Sequence, residues 1–324
     1  MIGRDAVTAI LRAAAGSSRS RIVTIGTFDG VHRGHQLLLE TAVERGRSRD
    51  RASLAVTFEP LPPQVLRPDR FLGRICTAAE KVSHLTATGV DAVATLPFTP
   101  EFSRWTPEEF MATLAEETDV EELWVGEAFA LGRDRVGDVA RLSEIGAALG
   151  FTVTAMPRLE IGGELVSSSA IRMAIGHGEV ETAHRLIGRP FRVAGEVIHG
   201  AKFGRTIGFP TANVVPPPDL IPLPDGIYAT VAAIEGGPES YPSLTYVGTR
   251  PTVNTGARLV ETHLLDFGGD LYGKEVAVDV LHRLRSDATF PTIESMVAQL
   301  RIDEANGRRF FAEMGWAISA GVRD

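Results

Sequence analysis

Three glycines spaced four residues apart, Gly200, Gly204 and Gly208, share one short segment with Lys202 and Arg205. Glycine lets backbone N–H groups approach a ligand closely and reach positive φ, so this segment with its two cations is suited to hold a phosphate chain. Phe209, Pro210, Thr211, Ala212 and Asn213 follow it. A hydroxyl and an amide on backbone stiffened by proline offer hard oxygen ligands to a cation such as Mg²⁺. On glycine and proline content alone, the segment would be a turn. His32 and His35, three apart, can point the same way at a helix entry and stabilise charge developing on a phosphate. Zinc is the other use of such a pair, but no third ligand stands nearby. Glu261 lies inside the apolar run 259–267, where desolvation is costly unless the carboxylate has a partner, a solvent-facing side or a chemical task.

Two kinds of scaffold must position these groups. Residues 21–25 read as a buried strand running directly into Gly26, and 36–47 as a helix turning Leu37, Leu38 and Val43 toward a core. A strand, a glycine-rich turn and a helix in that order make an anion site, because the helix start offers free N–H groups and a positive dipole end. Strands at 53–58, 91–96, 122–125 and 151–156 alternate with helices at 5–15, 78–88 and from an N-cap at Thr106, the pattern of a parallel α/β sheet. Ser167, Ser168 and Ser169 open a helix that carries on toward Leu186, and capping alone accounts for them. Gly188, Arg189 and Pro190 interrupt it and mark a boundary between domains 1–187 and 188–324.

Beyond that boundary come short β-rich runs with proline and glycine, as in a compact barrel. Strands are expected at 191–198, 225–233, 243–247, 259–267 and 276–281, with the prolines of 216–224 in a stiff surface loop. His263 is expected to face outward from its strand. A terminal helix should run from Thr292 to about Phe311, with Ile293, Val297, Leu300 and Ile302 mainly in the core.

The chain of 324 residues is long enough for two domains, each with a core. Apolar content of 44% and charged content of 23% are those of a soluble globular protein. A net charge of −8 argues against a general nucleic-acid or membrane-surface binder, which needs a basic face. Cys76 is the only cysteine, so no internal disulfide forms and a reducing cytoplasm fits. No apolar run approaches the roughly 20 residues of a membrane span, and 1–21 lacks the apolar core of a signal peptide. A cytoplasmic location is expected.

Four strings carry a resemblance. Residues 204–213, Gly-Arg-Thr-Ile-Gly-Phe-Pro-Thr-Ala-Asn, resemble the ATP/Mg²⁺ loop of riboflavin kinases, and Glu261 with the following residues to Asp266 resembles their Glu-x-x-Leu-Leu-Asp motif. Residues 27–35, Thr-Phe-Asp-Gly-Val-His-Arg-Gly-His, resemble the His-x-Gly-His signature of nucleotidyltransferases in the form found in FAD synthetases, and 166–172 resemble Ile-Ser-Ser-Thr-x-Ile-Arg. From Ile22 onward the chain resembles the prokaryotic bifunctional riboflavin kinase/FMN adenylyltransferase (FAD synthetase) family.

That resemblance implies a Rossmann-like α/β nucleotidyltransferase domain with a parallel sheet, then a six-stranded β-barrel kinase domain with a terminal helix. The second half would phosphorylate riboflavin to FMN with ATP, and the first would adenylylate FMN to FAD with release of pyrophosphate. Glu261 would be the base on the ribityl 5′-hydroxyl; Gly200, Lys202, Gly204, Arg205, Gly208, Pro210 and Thr211 would hold ATP, with Thr211 and Asn213 on Mg²⁺. In the first half His32, His35 and Arg172 would stabilise transition-state charge, with Gly26, Phe28, Asp29, Gly34, Ser167, Ser168 and Ser169 around the nucleotide. Partners would be small-molecule substrates only, on a monomer or weak homo-oligomer, with no nucleic acid and no membrane.

The chain departs from the family pattern at Leu61, where a histidine is usual, and at Ala128, where an asparagine is usual. Residues 283–290 lack the Glu and Lys of a family segment, and 248–254 resemble another kinase turn. Two alternatives follow: a riboflavin kinase whose first domain is inactive or altered in substrate, and a non-catalytic flavin-binding regulator. Thr211, Asn213 and Glu261 argue against the second.

Overall fold

The computed structural model describes residues 4–16, 20–200, 203–237, 239–249 and 258–316. It divides into two compact units, Met1–Ser168 and Ser169–Asp324, so its division falls ahead of Gly188.

Apart from two small two-stranded pairs, the main sheet of the first unit has five strands, β1 (Arg21–Ile25), β2 (Ala52–Glu59), β3 (Ala92–Pro97), β4 (Val120–Gly126) and β5 (Thr152–Met156). They form one sheet in the order β3-β2-β1-β4-β5, with every pairing parallel. The longer helices of the unit are α1 (Arg4–Ala15), α2 (Arg33–Arg49), α3 (Ala78–Ala87), α4 (Pro107–Thr118) and α5 (Val139–Leu149). Val7, Leu11, Met111, Leu114 and Leu142 of α1, α4 and α5 pack on Val23, Leu54 and Val56 of the sheet. Leu38, Leu39 and Val43 of α2 and Leu85 of α3 pack on Ala55, in a second core. Helices on both faces explain why β1 is buried throughout. Strand order reverses at β1, and the C-terminal ends of β1 and β4 meet at that switch point, where open α/β sheets hold ligands.

Helix α2 starts three residues ahead of the position expected from its apolar spacing. His32 has extended backbone and accepts the His35 N–H, so the capping histidine sets the start. Thr77 with Glu80 and Thr106 with Glu109 cap α3 and α4 reciprocally.

In the second unit the helix expected to run unbroken toward Leu186 is two, α6 (Ser168–His177) and α7 (Val180–Ile187). Gly178, at φ +76°, separates them, since a left-handed residue ends a helix. Six strands then close a barrel: β6 (Phe191–Ile198), β7 (Ala212–Val214), β8 (Gly226–Ile234), β9 (Ser240–Thr249), β10 (Arg258–Leu264) and β11 (Glu275–Ser286), in the order β6-β7-β10-β9-β8-β11. All pairings are antiparallel. Val193, Val197, Val214, Val260, Val276, Val278 and Val280 are buried at alternating positions. Among them runs a line of buried hydroxyls, Ser243, Thr230, Thr245 and Thr262, linked at 2.8, 2.8 and 3.0 Å. Burial without cost requires such pairing.

Helix α8 (Ile293–Glu313) lies outside the barrel with Phe311 against Ala229 and Leu244. Its buried positions are Asp303, Gly307 and Phe311, while Ile293 and Ile302, expected in the core, are exposed. A Cβ on Gly307 would stand 2.4 Å from Leu244 Cδ2, and Asp303 accepts Arg285 through both oxygens. Close approach and an ion pair choose the packed face here, not apolar spacing. The 216–224 stretch is likewise not all surface: Leu220, Ile221 and Leu223 are buried. Among the described residues no helix is long and apolar enough to cross a membrane.

Candidate active sites

Beyond β1 the chain turns through 26–34 at the switch point. Phe28 and Val31 have φ of 49° and 36°, conformations that cost energy in residues other than glycine. Packing holds them: both are buried in the core with α2, and Phe28 meets the His35 ring edge-on at 5.1 Å. A Cβ on Gly26 would lie 2.8 Å from the Phe28 ring, so only glycine fits there. Buried Asp29 accepts the Ile75 N–H at 3.1 Å, and its carbonyl accepts the Ser168 hydroxyl at 3.1 Å.

The two imidazoles stack at 3.5 Å and 16°. His32 Nδ1 accepts the His35 N–H at 3.3 Å, which leaves the His32 ring proton on Nε2. His35 Nδ1 is buried with no hydrogen-bond partner. Burial first, and the neighbouring His32 second, hold His35 well below the ordinary histidine pKa, so it is neutral at pH 7. A Cβ on Gly34 would meet the His32 ring at an ordinary 3.4 Å, so packing does not demand that glycine. Ser167 is half-buried and Ser169 exposed; Arg172 is half-buried in α6, in the second unit.

A charged cluster that sequence reading missed supports the same end of the sheet. Glu59, the last residue of β2, takes Arg74 at 2.8 Å and Lys81 at 3.1 Å. Lys81 has no exposed surface, donates to the Phe58 carbonyl at 2.7 Å, and has its pKa lowered by burial against the opposing pull of Glu59. Its place in α3 gives no hint in sequence. Leu61 beside it is buried, its N–H bonded to Gln64, and Ala128 after β4 is exposed, its carbonyl accepting Arg135 at 3.3 Å.

The second site is assembled by strand register. Asn213 of β7 stands opposite Glu261 of β10, and Glu261 opposite Tyr246 of β9. All three are half-buried on the outer face, alternating with buried Ala212, Val260 and Thr262. A Cβ on Gly200 would fall 2.4 Å from Asn213 Nδ2, and one on Gly204 would fall 2.3 Å from the Phe209 carbonyl and 3.5 Å from Thr211 Oγ1. Those two glycines serve close approach; of the three, Gly208 alone uses positive φ, at 84°. A short helix, Phe203–Thr206, occupies part of the expected loop, with Arg205 exposed. Lys202 and 250–254 of the kinase-like turn lie outside the described residues.

His263 does not face solvent as expected. It is buried, and its Nδ1 donates to the Pro210 carbonyl at 2.7 Å. The glycine segment is therefore fastened to the strand that carries Glu261. Position i+2 from Glu261 places His263 on the same face, a signal present in the sequence. The strand expected over 276–281 is longer: β11 continues to Ser286, with Arg283 donating to the Asp225 carbonyl at 3.0 Å.

A glycine turn and histidine pair at the switch point of a parallel sheet, with a strand carboxylate opposite an asparagine that a glycine segment approaches on a closed barrel, define a two-domain enzyme of phosphate chemistry. Residues 15–170 match the family described as FAD synthetase, and 187–311 the one described as riboflavin kinase. The chain is 37% identical over 291 residues to the bifunctional riboflavin kinase/FMN adenylyltransferase of Escherichia coli K12, covering 90% of this chain and 92% of that one. It is 38% identical over 296 residues to the Pseudomonas fluorescens protein of that description, covering 91% and 94%. The crystal structure of a Streptococcus pneumoniae protein described as a macrolide-efflux protein is similar too, at 30% identity and a TM-score of 0.83, covering 92% of this chain and 96% of that one. The chain belongs to the bifunctional riboflavin kinase/FMN adenylyltransferase family. Both domains are present, and the kinase-only and regulator readings give way to the bifunctional one.

Proposed function

We propose that the barrel phosphorylates riboflavin to FMN and that the parallel-sheet domain then adenylylates FMN to FAD, with the functional boundary at Gly188. The observation that carries the first step is Asn213, approached closely by Gly200, facing Glu261 on the neighbouring strand. Glu261 takes the proton of the ribityl 5′-hydroxyl as that oxygen attacks the γ-phosphate of ATP, the bond to the β-phosphate oxygen breaks, and ADP leaves. Gly200, Gly204 and Gly208 bring backbone to the phosphates, with Lys202 and Arg205 beside them and Pro210 shaping the exit. Phosphoryl transfer of this kind is mostly positioning and charge neutralisation. Thr211 and Asn213 offer hard oxygens to Mg²⁺, which neutralises phosphate charge when bound.

In the first domain an FMN phosphate oxygen attacks the α-phosphate of a second ATP, the bond to the β-phosphate oxygen breaks, and pyrophosphate leaves. His32 and His35 donate hydrogen bonds to the developing charge. Arg172, Ser167, Ser168 and Ser169 take the pyrophosphate oxygens, and Gly26, Phe28, Asp29 and Gly34 shape the turn. A cytoplasmic location, a monomer or weak homo-oligomer, and no nucleic-acid or membrane partner belong with this reading.

Chromatography of FMN and FAD over time, from riboflavin, ATP and Mg²⁺, tests it. Glu261→Ala should slow FMN formation by about 10²–10⁴-fold and leave conversion of added FMN to FAD intact. Loss of both, or of neither, overturns the division.

A further inference from the structure

Glu261 has a different neighbour on each side. On the β7 side stands Asn213, covered by Gly200 and near the loop that ends in Thr211. On the β9 side stands Tyr246. Transfer from ATP puts the attacking and leaving oxygens roughly in line through the phosphorus. With the ATP phosphates on the Asn213 side, the acceptor alcohol must reach Glu261 from the other side, across Tyr246.

The Tyr246 side chain is built to lie there. It runs along its own strand over Gly248, where an added Cβ would stand 2.1 Å from the Tyr246 hydroxyl oxygen and 2.3 Å from Cζ. Its hydroxyl donates to Asp287 Oδ2 at 3.3 Å, on the connection from β11 to α8. Asp287 is exposed and its N–H bonds the Asp225 carbonyl at 3.3 Å, so the far end of the ring is moored to the start of β8 as well. A half-buried aromatic ring fixed at both ends, next to the proposed base, offers a planar apolar surface at little entropic cost.

We propose that Tyr246, laid over Gly248 and moored by Asp287, is a positioning residue for the phosphoryl acceptor, the surface along which riboflavin's flavin-and-ribityl body lies while its terminal hydroxyl meets Glu261. This rests on Glu261 being the base. A tyrosine serving only to close β9 onto the connection would support both substrates alike; a positioning surface affects one.

The test is steady-state FMN formation by the full chain, with riboflavin and ATP varied separately and FMN-to-FAD conversion as the control for folding. Tyr246→Phe keeps the ring and loses the mooring; it should raise the KM for riboflavin about threefold. Tyr246→Ala should raise it about tenfold or more, the scale of a lost aromatic stacking contact. Gly248→Ala, which displaces the ring without removing it, should act like Tyr246→Ala. All three should leave the KM for ATP within about twofold. Equal shifts in both KM values, a shift for ATP alone, or no shift in any variant overturns the proposal. Glu261→Gln run beside them separates the two readings: if it forms FMN at the normal rate, the assignment of the base fails, whatever Tyr246 does.

Discussion

The two sites differ in how the chain builds them. The histidine site has a nearly contiguous centre: Gly26 to His35 supply the turn, the cap and both imidazoles, and the distant Ile75 N–H and Ser168 hydroxyl bond to Asp29 of that turn. The barrel site has no such core. Asn213, Tyr246 and Glu261 come from three strands and meet only because β7, β10 and β9 pair in one register. A contiguous site depends on local caps and φ values, whereas a register-built one depends on every strand pairing that sets the slide of its members. Substitutions should therefore fail differently in the two.

After loss of the Glu261 carboxylate, the largest effect falls on the contiguous site. His32→Asn keeps an N-cap for α2 while removing the ring stacked on His35. FAD formation from FMN should drop by about 10²–10³-fold, the loss expected for one charge-stabilising donor. Riboflavin phosphorylation and the melting temperature should hold. Should melting collapse together with both activities, the pair is a structural device and the contrast with the barrel is lost.

Next is the glycine segment. Gly204→Ala forces a Cβ to 2.3 Å from the Phe209 carbonyl, so backbone must move, and the moving part carries Pro210 and Thr211. FMN formation should fall by about tenfold or more, at the scale of an overpacked core site. Gly208→Ala meets open space and carries only the cost of φ 84°, about 1 kcal/mol. Rate assays on both variants sharpen the point that close approach, not left-handed backbone, is what the first two glycines provide. Equal losses in the two would break it.

This contrast also governs what could be read in advance. The parallel sheet, helices α1 to α4 and the switch-point turn were legible because the strands are short apolar runs and α2, α3 and α4 carry a capping residue at their start, whereas α5 was not read in advance. The barrel's strands were legible as runs, yet Tyr246 beside Glu261 was not, since cross-strand neighbours exist only once register is fixed. Ile293 and Ile302 misled for a related reason: α8 packs where Gly307 allows approach and Arg285 pairs with Asp303, so apolar spacing named the wrong face. Lys81, fully buried in α3 beneath Glu59, carries no sequence sign of its partner.

Two strand carboxylates carry the comparison to its smallest expected effect on chemistry. Glu261 is half-buried at the proposed site, while Glu122 of β4 is buried and held by Arg45, Arg49 and the Trp124 indole. The hydrogen bonds from Arg45, acting against burial, lower the Glu122 pKa from 4.5 to about 2. A depressed carboxylate stabilises the fold above its unfolded pKa, and that stability is lost as pH falls from about 4.5 toward about 2. Because both arginines are partly exposed, about 2 kcal/mol is expected rather than the full value of the shift. Glu122→Gln should lower the urea midpoint at pH 7, and the gap from the parent should shrink as pH drops below about 4.5. Neither FMN nor FAD formation should change. A gap constant from pH 7 to pH 3 would assign the loss to packing instead of charge, and a loss of either activity would mean that this ion pair also serves a site.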